Sequence, residues 1–437
     1  MEHQSTRQGW TAVIILMLAY TLSFLDRNIL TFLVEPMKRD LDLSDTQVSL
    51  LLGASFGLFY SLMGLPLGRV ADVFSRKKLI AIGLSLWSLM TALCGLTKGY
   101  FQLFFARMGV GVGEATLTPA TYSLLSDYFP KEKLATAISV YSLGIYLGSA
   151  LAALAGGYAV GVLAEMDNLT LPLFGEIFAW QLILIMIGLP GLLVALLVLT
   201  IKEPRRLGSN TETKVSLNEV WAYLAKNGRK FFLICGGFAF YYLAIYAISS
   251  WLPAFLTRIH HLSSTTVATA SAIGFGLFPA VGVIVGGVIA DRWTRRGVPN
   301  AKVKMIFWAT LLLIPTSVFY PLMPSGNLVL IALIPLGLIL SAPVAAAAAV
   351  VQEMMPNRMR GITSSILILT NNLLGLTLGP TSVALLNDYA FKDEMALGWS
   401  LLIVSLTSFV IAVVFFYFAL QKGKQPEMKE TLQQPGT

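Results

Sequence analysis

Roughly twelve apolar runs, most of them about 20 residues or longer, constrain this chain more than any other feature of its sequence. A helix rising ~1.5 Å per residue needs about 20 residues to cross a hydrocarbon core of ~30 Å. Runs at 10–34, 47–71, 79–97, 100–126, 133–162, 174–201, 230–257, 265–290, 303–322, 327–352, 361–386 and 396–420 reach that length. They predict an all-α integral membrane protein with twelve transmembrane helices. They are continuous and do not alternate, which excludes a transmembrane barrel. Of 437 residues, 56% are hydrophobic and 12% charged, about half the charged share of a soluble domain. The opening residues lack a short apolar core followed by a small-residue cleavage site, so the first span is expected to be retained.

The net charge of +8 could point to nucleic acid, but the placement of the basic residues argues otherwise. With the N-terminus inside, most Lys and Arg fall in cytoplasmic segments: Arg69, Arg76, Lys77 and Lys78 after the second run, Lys202 to Lys230 in the middle, Arg292 to Lys304 after the eighth. Lys38, Arg39, Lys98, Arg258 and Lys392 are left for the outer loops. This bias predicts cytoplasmic termini and no nucleic-acid partner. Short loops and compact termini favour a bacterial inner membrane. Cys94 and Cys235 sit in apolar runs of opposite halves and read as packing residues. His3, His260 and His261 lack metal-site spacing, so neither metal nor cofactor is implied.

The longest polar stretch, 202–229, divides the chain. The expected units are a six-helix bundle at 1–201, a cytoplasmic linker at 202–229, a second six-helix bundle at 230–421 and a tail at 422–437. An internal repeat supports the division. Gly68-Arg-Val-Ala-Asp72-Val-Phe-Ser-Arg76-Lys77 is echoed by Gly287-Val-Ile-Ala-Asp291-Arg-Trp-Thr-Arg295-Arg296. Glycine, aspartate and the basic pair keep their offsets, and each copy follows the second span of its half.

Four charges lie deep in apolar runs: Asp26 and Arg27 in the first, Arg107 and Glu114 in the fourth. Each costs about 2.5–3.5 kcal/mol on insertion scales, so those that persist usually face a cavity and act there. Arg107 and Glu114 share one helix face but stand ~10 Å apart along the axis, so each wants a partner on another helix. The economical arrangement brings Asp26-Arg27 against that face. A static buried ion network is one reading. The other is a proton and substrate site, with Asp26 and Glu114 titrating and Arg27 and Arg107 modulating them or anchoring an anion. Tyr60, Tyr141, Tyr242, Tyr246, Asn371 and Asn372 are further cavity candidates, offering aromatic surface and hydrogen bonds; helix-to-helix hydrogen bonding is the alternative for each. Gly109, Gly111 and Gly113 read as close-packing residues. No Gly-Lys-Ser/Thr phosphate loop appears, so direct ATP-driven transport is not expected.

The repeated loop resembles the signature of the major facilitator superfamily, Gly-x-x-x-Asp-(Arg/Lys)-x-Gly-(Arg/Lys)-(Arg/Lys); Val73, Ser75 and Thr294 depart from it. Leu25-Asp26-Arg27-Asn28, together with Trp87-Ser-Leu-Met-Thr91 and Arg107-Met-Gly-Val-Gly-Val-Gly-Glu114-Ala115, resembles the spinster-like branch. The resemblance implies two pseudo-symmetric six-helix bundles around a central cavity that opens alternately to either side. It also implies a cytoplasmic gate from Gly68, Asp72, Arg76, Lys77, Gly287, Asp291, Arg295 and Arg296, locked by pairing across the halves. The expected function is proton-coupled secondary transport of an organic anion or an amphiphilic, lysolipid-like solute by a monomer. A proton-antiport multidrug exporter and an uncoupled lipid uniporter or scramblase are the alternatives. No paired nucleophile and base suggests an enzyme.

Overall fold

A computed structural model of the chain describes residues 6–163, 169–171, 175–204, 206, 217–355 and 359–421. The expected tail, much of the expected linker and the side chain of Asp72 lie outside the described residues. Helix dominates, as it must where lipid offers backbone groups no partner. The first half runs through α1 (Thr6–Ile29), α2 (Val34–Leu41), α3 (Asp45–Leu52), α4 (Ala54–Val73), α5 (Arg76–Cys94), α6 (Tyr100–Glu114), α7 (Leu117–Tyr128), α8 (Lys131–Leu163) and α9 (Ala179–Thr200). After α10 (Leu217–Asn227), the second half runs through α11 (Arg229–Arg258), α12 (Ser264–Ala272), α13 (Phe278–Arg295), α14 (Ala301–Leu322), α15 (Gly326–Met354), α16 (Arg360–Thr370), α17 (Thr377–Leu385) and α18 (Leu397–Gln421).

Eleven helical segments among the described residues are long and apolar enough to cross a membrane. The fourth crossing expected from the sequence is divided instead between α6 and α7, which meet at Ala115-Thr116. There the Thr116 hydroxyl donates to the Gly113 carbonyl at 2.9 Å. Asp26 and Arg27 do not break the first helix; α1 continues to Ile29, and a 3₁₀ turn follows at Leu30–Phe32. A small hairpin, β1 (Leu169–Leu171) antiparallel to β2 (Gly175–Ile177), departs from the all-helical expectation. It marks one side of the molecule, here the hairpin side, opposite the linker side.

Two glycines set the depth at which α6 sits. A Cβ on Gly111 would lie 2.6 Å from the Phe56 carbonyl oxygen of α4, and one on Gly113 would lie 2.8 Å from Gly83 O and Trp87 N of α5. Backbones meet directly there, as small residues permit in membrane bundles, and Arg107 and Glu114 are carried into the interior.

The described hydrogen bonds and ion pairs that join the two halves lie at the hairpin side. Arg258, closing α11, donates to Glu35 at 2.8 Å and to Asp45 at 3.0 Å. Lys38 holds the other Asp45 oxygen at 2.5 Å, and Asn387 donates to Asp45 at 2.9 Å. The Thr46 amide donates to Asp388 at 2.7 Å. Lys38 and Arg258, expected as topology-setting loop charges, are therefore parts of a buried network around a fully buried Asp45. Asp388 thus accepts a hydrogen bond across the halves.

On the linker side, Arg76 is buried. It donates to Glu203 at 3.2 Å, to the Pro204 carbonyl at 2.9 Å and to Asp127. The Glu203 carboxylate also accepts from the Arg76 amide at 2.7 Å and from the Ser75 hydroxyl. Lys77 donates to the carbonyls of Leu199 and Ile201, and Arg206 to those of Ala71 and Phe74. The start of the linker is thus fastened to the loop between α4 and α5.

Candidate functional site

Four residues apart on α1, Ser23 and Arg27 share a face, and both donate to one oxygen of Glu114. The Ser23 hydroxyl lies 2.6 Å and Arg27 Nη2 2.8 Å from Oε2. Among the described residues, the second carboxylate oxygen, Oε1, has no hydrogen-bond partner, and neither has Arg27 Nε. Aromatic rings enclose the guanidinium. Its carbon lies 4.5 Å from the centre of Phe56, 4.7 Å from Phe24 and 5.0 Å from Tyr60. Cation–π contacts of this kind hold a guanidinium without consuming its hydrogen bonds.

Asp26 and Arg107 lie behind this pair. Asp26 is buried and accepts one hydrogen bond, from Thr91 of α5 at 3.2 Å; its other oxygen has none. Arg107 is 1% exposed, and none of its three nitrogens donates to an acceptor among the described residues. Its guanidinium carbon lies 5.5 Å from the Phe56 ring centre. The four charges expected to converge are therefore in one buried cluster, but the direct ion pair is Arg27 with Glu114, while Asp26 and Arg107 do not pair with each other.

From the second half, α11 presents Tyr242 and Tyr246, both half-buried, with ring centres 6.2 Å apart. Tyr246 packs against the buried core of the first half, which Leu376 also joins. Asn371 and Asn372 open a π-helical turn, Asn371–Leu376, with Asn371 buried, its side-chain oxygen unpartnered, and Asn372 half-buried. That turn packs closely on α11 and α4. A Cβ on Gly375 would meet Tyr242 at 2.9 Å, and the Leu376 carbonyl closes on Gly53. Tyr60 faces this junction from α4. Tyr141 is fully buried in α8 and stacked on Tyr20 with ring centres 4.4 Å apart, and Tyr20 meets Phe24, one of the rings beside Arg27, edge-on at 5.1 Å.

Of the residues expected at a gate, Arg76 and Lys77 bind within the first half and its linker, and Gly68 and Gly287 are half-buried in α4 and α13. Asp291, Arg295 and Arg296 are exposed at the end of α13, and among the described residues none of them pairs with the first half. Sequence reasoning missed Ser23, Phe24, Phe56 and Thr91 as site residues. Only the four-residue offset of Ser23 from Arg27 carried a signal.

The model of the Major Facilitator Superfamily matches residues 16–380 and, in a second match, 234–434. The chain is 28% identical over 433 residues to an MFS-type efflux pump of Mycolicibacterium smegmatis, covering 98% of this chain and 96% of that protein. It is 25% identical over 311 residues to a probable L-galactonate transporter of Escherichia coli, covering 68% of this chain and 64% of that one. Among solved structures, a bacterial homologue of the human lysosomal transporter Spinster, in an inward-facing and unoccupied conformation, matches with a TM-score of 0.75. Its identity is 28%, over 95% of this chain and 96% of that one. The chain belongs to the major facilitator superfamily and, within it, is similar to the spinster proteins.

Proposed function

We propose that the chain is a proton-coupled carrier of an organic anion or an amphiphilic solute, in which Glu114 takes the proton and Arg27 receives the anionic group. As a member of its family it is a transporter and not an enzyme. The observation that carries the reading is the buried Arg27–Glu114 pair under an aromatic wall. Removing one partner from a buried ion pair costs about 3–5 kcal/mol, because the other charge is left uncompensated. A proton on Glu114 together with an anion on Arg27 satisfies both groups at once. Each ligand then lowers the cost of binding the other, and this reciprocity is what coupling requires. Asp26, with one bare oxygen beside Arg107, is the second titrating candidate.

Alternating access by a monomer in a bacterial inner membrane completes the proposal, with the linker side and both termini in the cytoplasm. The basic residues of the linker side support this orientation. Bundles at 1–201 and 230–421 are the moving bodies, and Tyr60, Tyr242, Tyr246, Asn371 and Asn372 are the solute-recognising surface. The E. coli relative named for L-galactonate, a carboxylate, supports the anion.

Liposomes carrying an internal pH-sensitive dye would be screened with sugar acids and lysolipids. Anion-dependent proton movement is expected, lost in Glu114→Gln and weakened in Asp26→Asn, with affinity lost in Arg27→Met. Solute movement without proton flux, unchanged in Glu114→Gln and Asp26→Asn, would sink the coupling. The similarity to an efflux pump favours a second reading, proton antiport of drugs; it predicts proton release on adding a cationic drug in the same assay.

A further inference from the structure

A cavity of about 600 Å³ lies away from the charged cluster, in a crevice between α8, α12, α15 and the π-helical turn Ile273–Leu277. All its walls belong to membrane spans. Tyr158, Ile273 and Ile334 in its lining, and Leu277 and Ile331 beside it, are exposed on the protein surface, so the crevice opens to the bilayer. It is graded along its length. Thr265, Thr266 and Thr269 line the end next to the start of α12, and Ile273, Phe278 and Leu333 line the deeper part. From Thr265 to Phe278 a helix rises roughly 20 Å, compared with the ~15 Å of hydrocarbon in one leaflet. Hydroxyls at the interface end and an apolar floor along one leaflet's depth match the profile of a single lipid chain below its ester group.

The crevice also bridges the two halves. Tyr158 comes from the first half, and every other lining residue comes from the second. Beside it, α8 and α12 are in close contact: a Cβ on Gly157 would sit 2.2 Å from that of Ala268, and one on Gly276 would sit 3.2 Å from that of Ala150. If the halves part on the hairpin side, this seam opens and Tyr158 leaves the other walls.

We propose that the crevice binds one acyl chain of a phospholipid from the hairpin-side leaflet, and that this lipid favours the state in which the hairpin side is closed. The driving force is packing, since lipid tails are as apolar as the walls. A ligand that touches both halves in one state and only one half in the other shifts the population by its difference in affinity.

Gly274 offers a clean probe, because a Cβ added there meets only Leu333, at ordinary contact distances of 3.9 Å and more. Gly274→Leu and Thr269→Trp fill the crevice; Ile284→Trp, on an exposed face of α13, is the control. Phospholipid retained after mild detergent extraction would be counted by native mass spectrometry. In parallel, labelling of Ser49→Cys at the closed seam would be followed in phosphatidylethanolamine/phosphatidylglycerol nanodiscs and in detergent, with Cys94 and Cys235 replaced by Ala. Wild type and Ile284→Trp should retain one lipid that the filled variants lack, and nanodisc lipid should slow labelling several-fold in those two proteins only. Equal retention in all four proteins overturns the site. Retention with lipid-independent labelling overturns the link to conformation. Displacement of the phospholipid by a transported solute would make the crevice a station on the transport path and overturn the proposal as stated.

Discussion

Arg107 shows most clearly how a residue can be legible in the sequence and its state not. An arginine deep in an apolar run announces itself, because lipid tolerates the charge poorly. Its partner cannot be read in the same way. Among the described residues it has no hydrogen-bonding partner: its three guanidinium nitrogens are buried without an acceptor. Taking a charge out of water costs several kcal/mol, and a buried charge without an ion-pair or hydrogen-bond partner recovers little of it. Arg107→Met is therefore expected to raise the thermal unfolding temperature in detergent while lowering transport, since a charge that weakens this state must be used in another. A lower unfolding temperature would mean that Arg107 is paired here after all. The hydroxyls of Ser23 and Thr91 gave little signal because serine and threonine in membrane helices commonly bond their own backbone, as Thr21 does to Met17 at 2.9 Å. Aromatic contacts to Arg27 depend on which faces of α1 and α4 meet, and a single sequence does not encode that in its local pattern.

At the scale of elements, the crossing helices were legible from apolar run length, but their interruptions were not. The division between α6 and α7, and the π-helical turns at Ile273–Leu277, Asn371–Leu376 and Leu386–Phe391, fall inside or at the ends of runs with uniform hydropathy. All three turns are in the second half, and each meets the first half: Gly276 at Ala150, Leu376 at Gly53, and Asn387 and Asp388 at Asp45 and Thr46. π turns commonly mark functional positions, and here they widen a helix where the other half packs. The linker clamp was half-visible, since Arg76 stood out in the repeat while its partner Glu203 read as linker polarity. Partial burial alone would raise the Glu203 carboxyl, but hydrogen bonds from the Ser75 hydroxyl and from Arg76 outweigh it and hold the group below its usual range. A carboxylate depressed in the folded state contributes stability above its unfolded pKa, and loses it as pH falls through the folded one. Protection of the Arg76 backbone amide, which donates to Glu203, against hydrogen exchange should accordingly be constant at neutral pH and fall away below about pH 4. Glu203→Gln should lose much of that protection even at pH 7, and equal protection in variant and wild type would refute the clamp.

For the whole molecule, two pseudo-symmetric bundles were expected, with a cytoplasmic gate at the repeated loops, whereas the described hydrogen bonds and ion pairs between the halves lie on the hairpin side. Closure on the hairpin side comes from residues outside the repeat. Asp45 is buried and receives Lys38 from its own half, and Arg258 and Asn387 from the other. Arg258 also reaches Glu35, so one guanidinium joins two carboxylates across the seam. Such a network strongly resists the loss of a single member, because each remaining buried charge is left undercompensated. Breaking it still need not unfold either bundle, since each half packs its own helices. Arg258→Ala and Asp45→Asn should therefore change state more than stability, moving the population towards opening on the hairpin side. A Ser49→Cys reporter, buried beside Thr381 of the other half, should then react several-fold faster with a membrane-impermeant maleimide, while the unfolding temperature shifts little. Arg258→Lys should fall between, since an ammonium keeps the charge but cannot span Glu35 and Asp45 with a planar fork. If labelling is unchanged in Arg258→Ala, the halves are held at this side by apolar contacts such as Gly157 with Ala268, and the ion network only fixes their register.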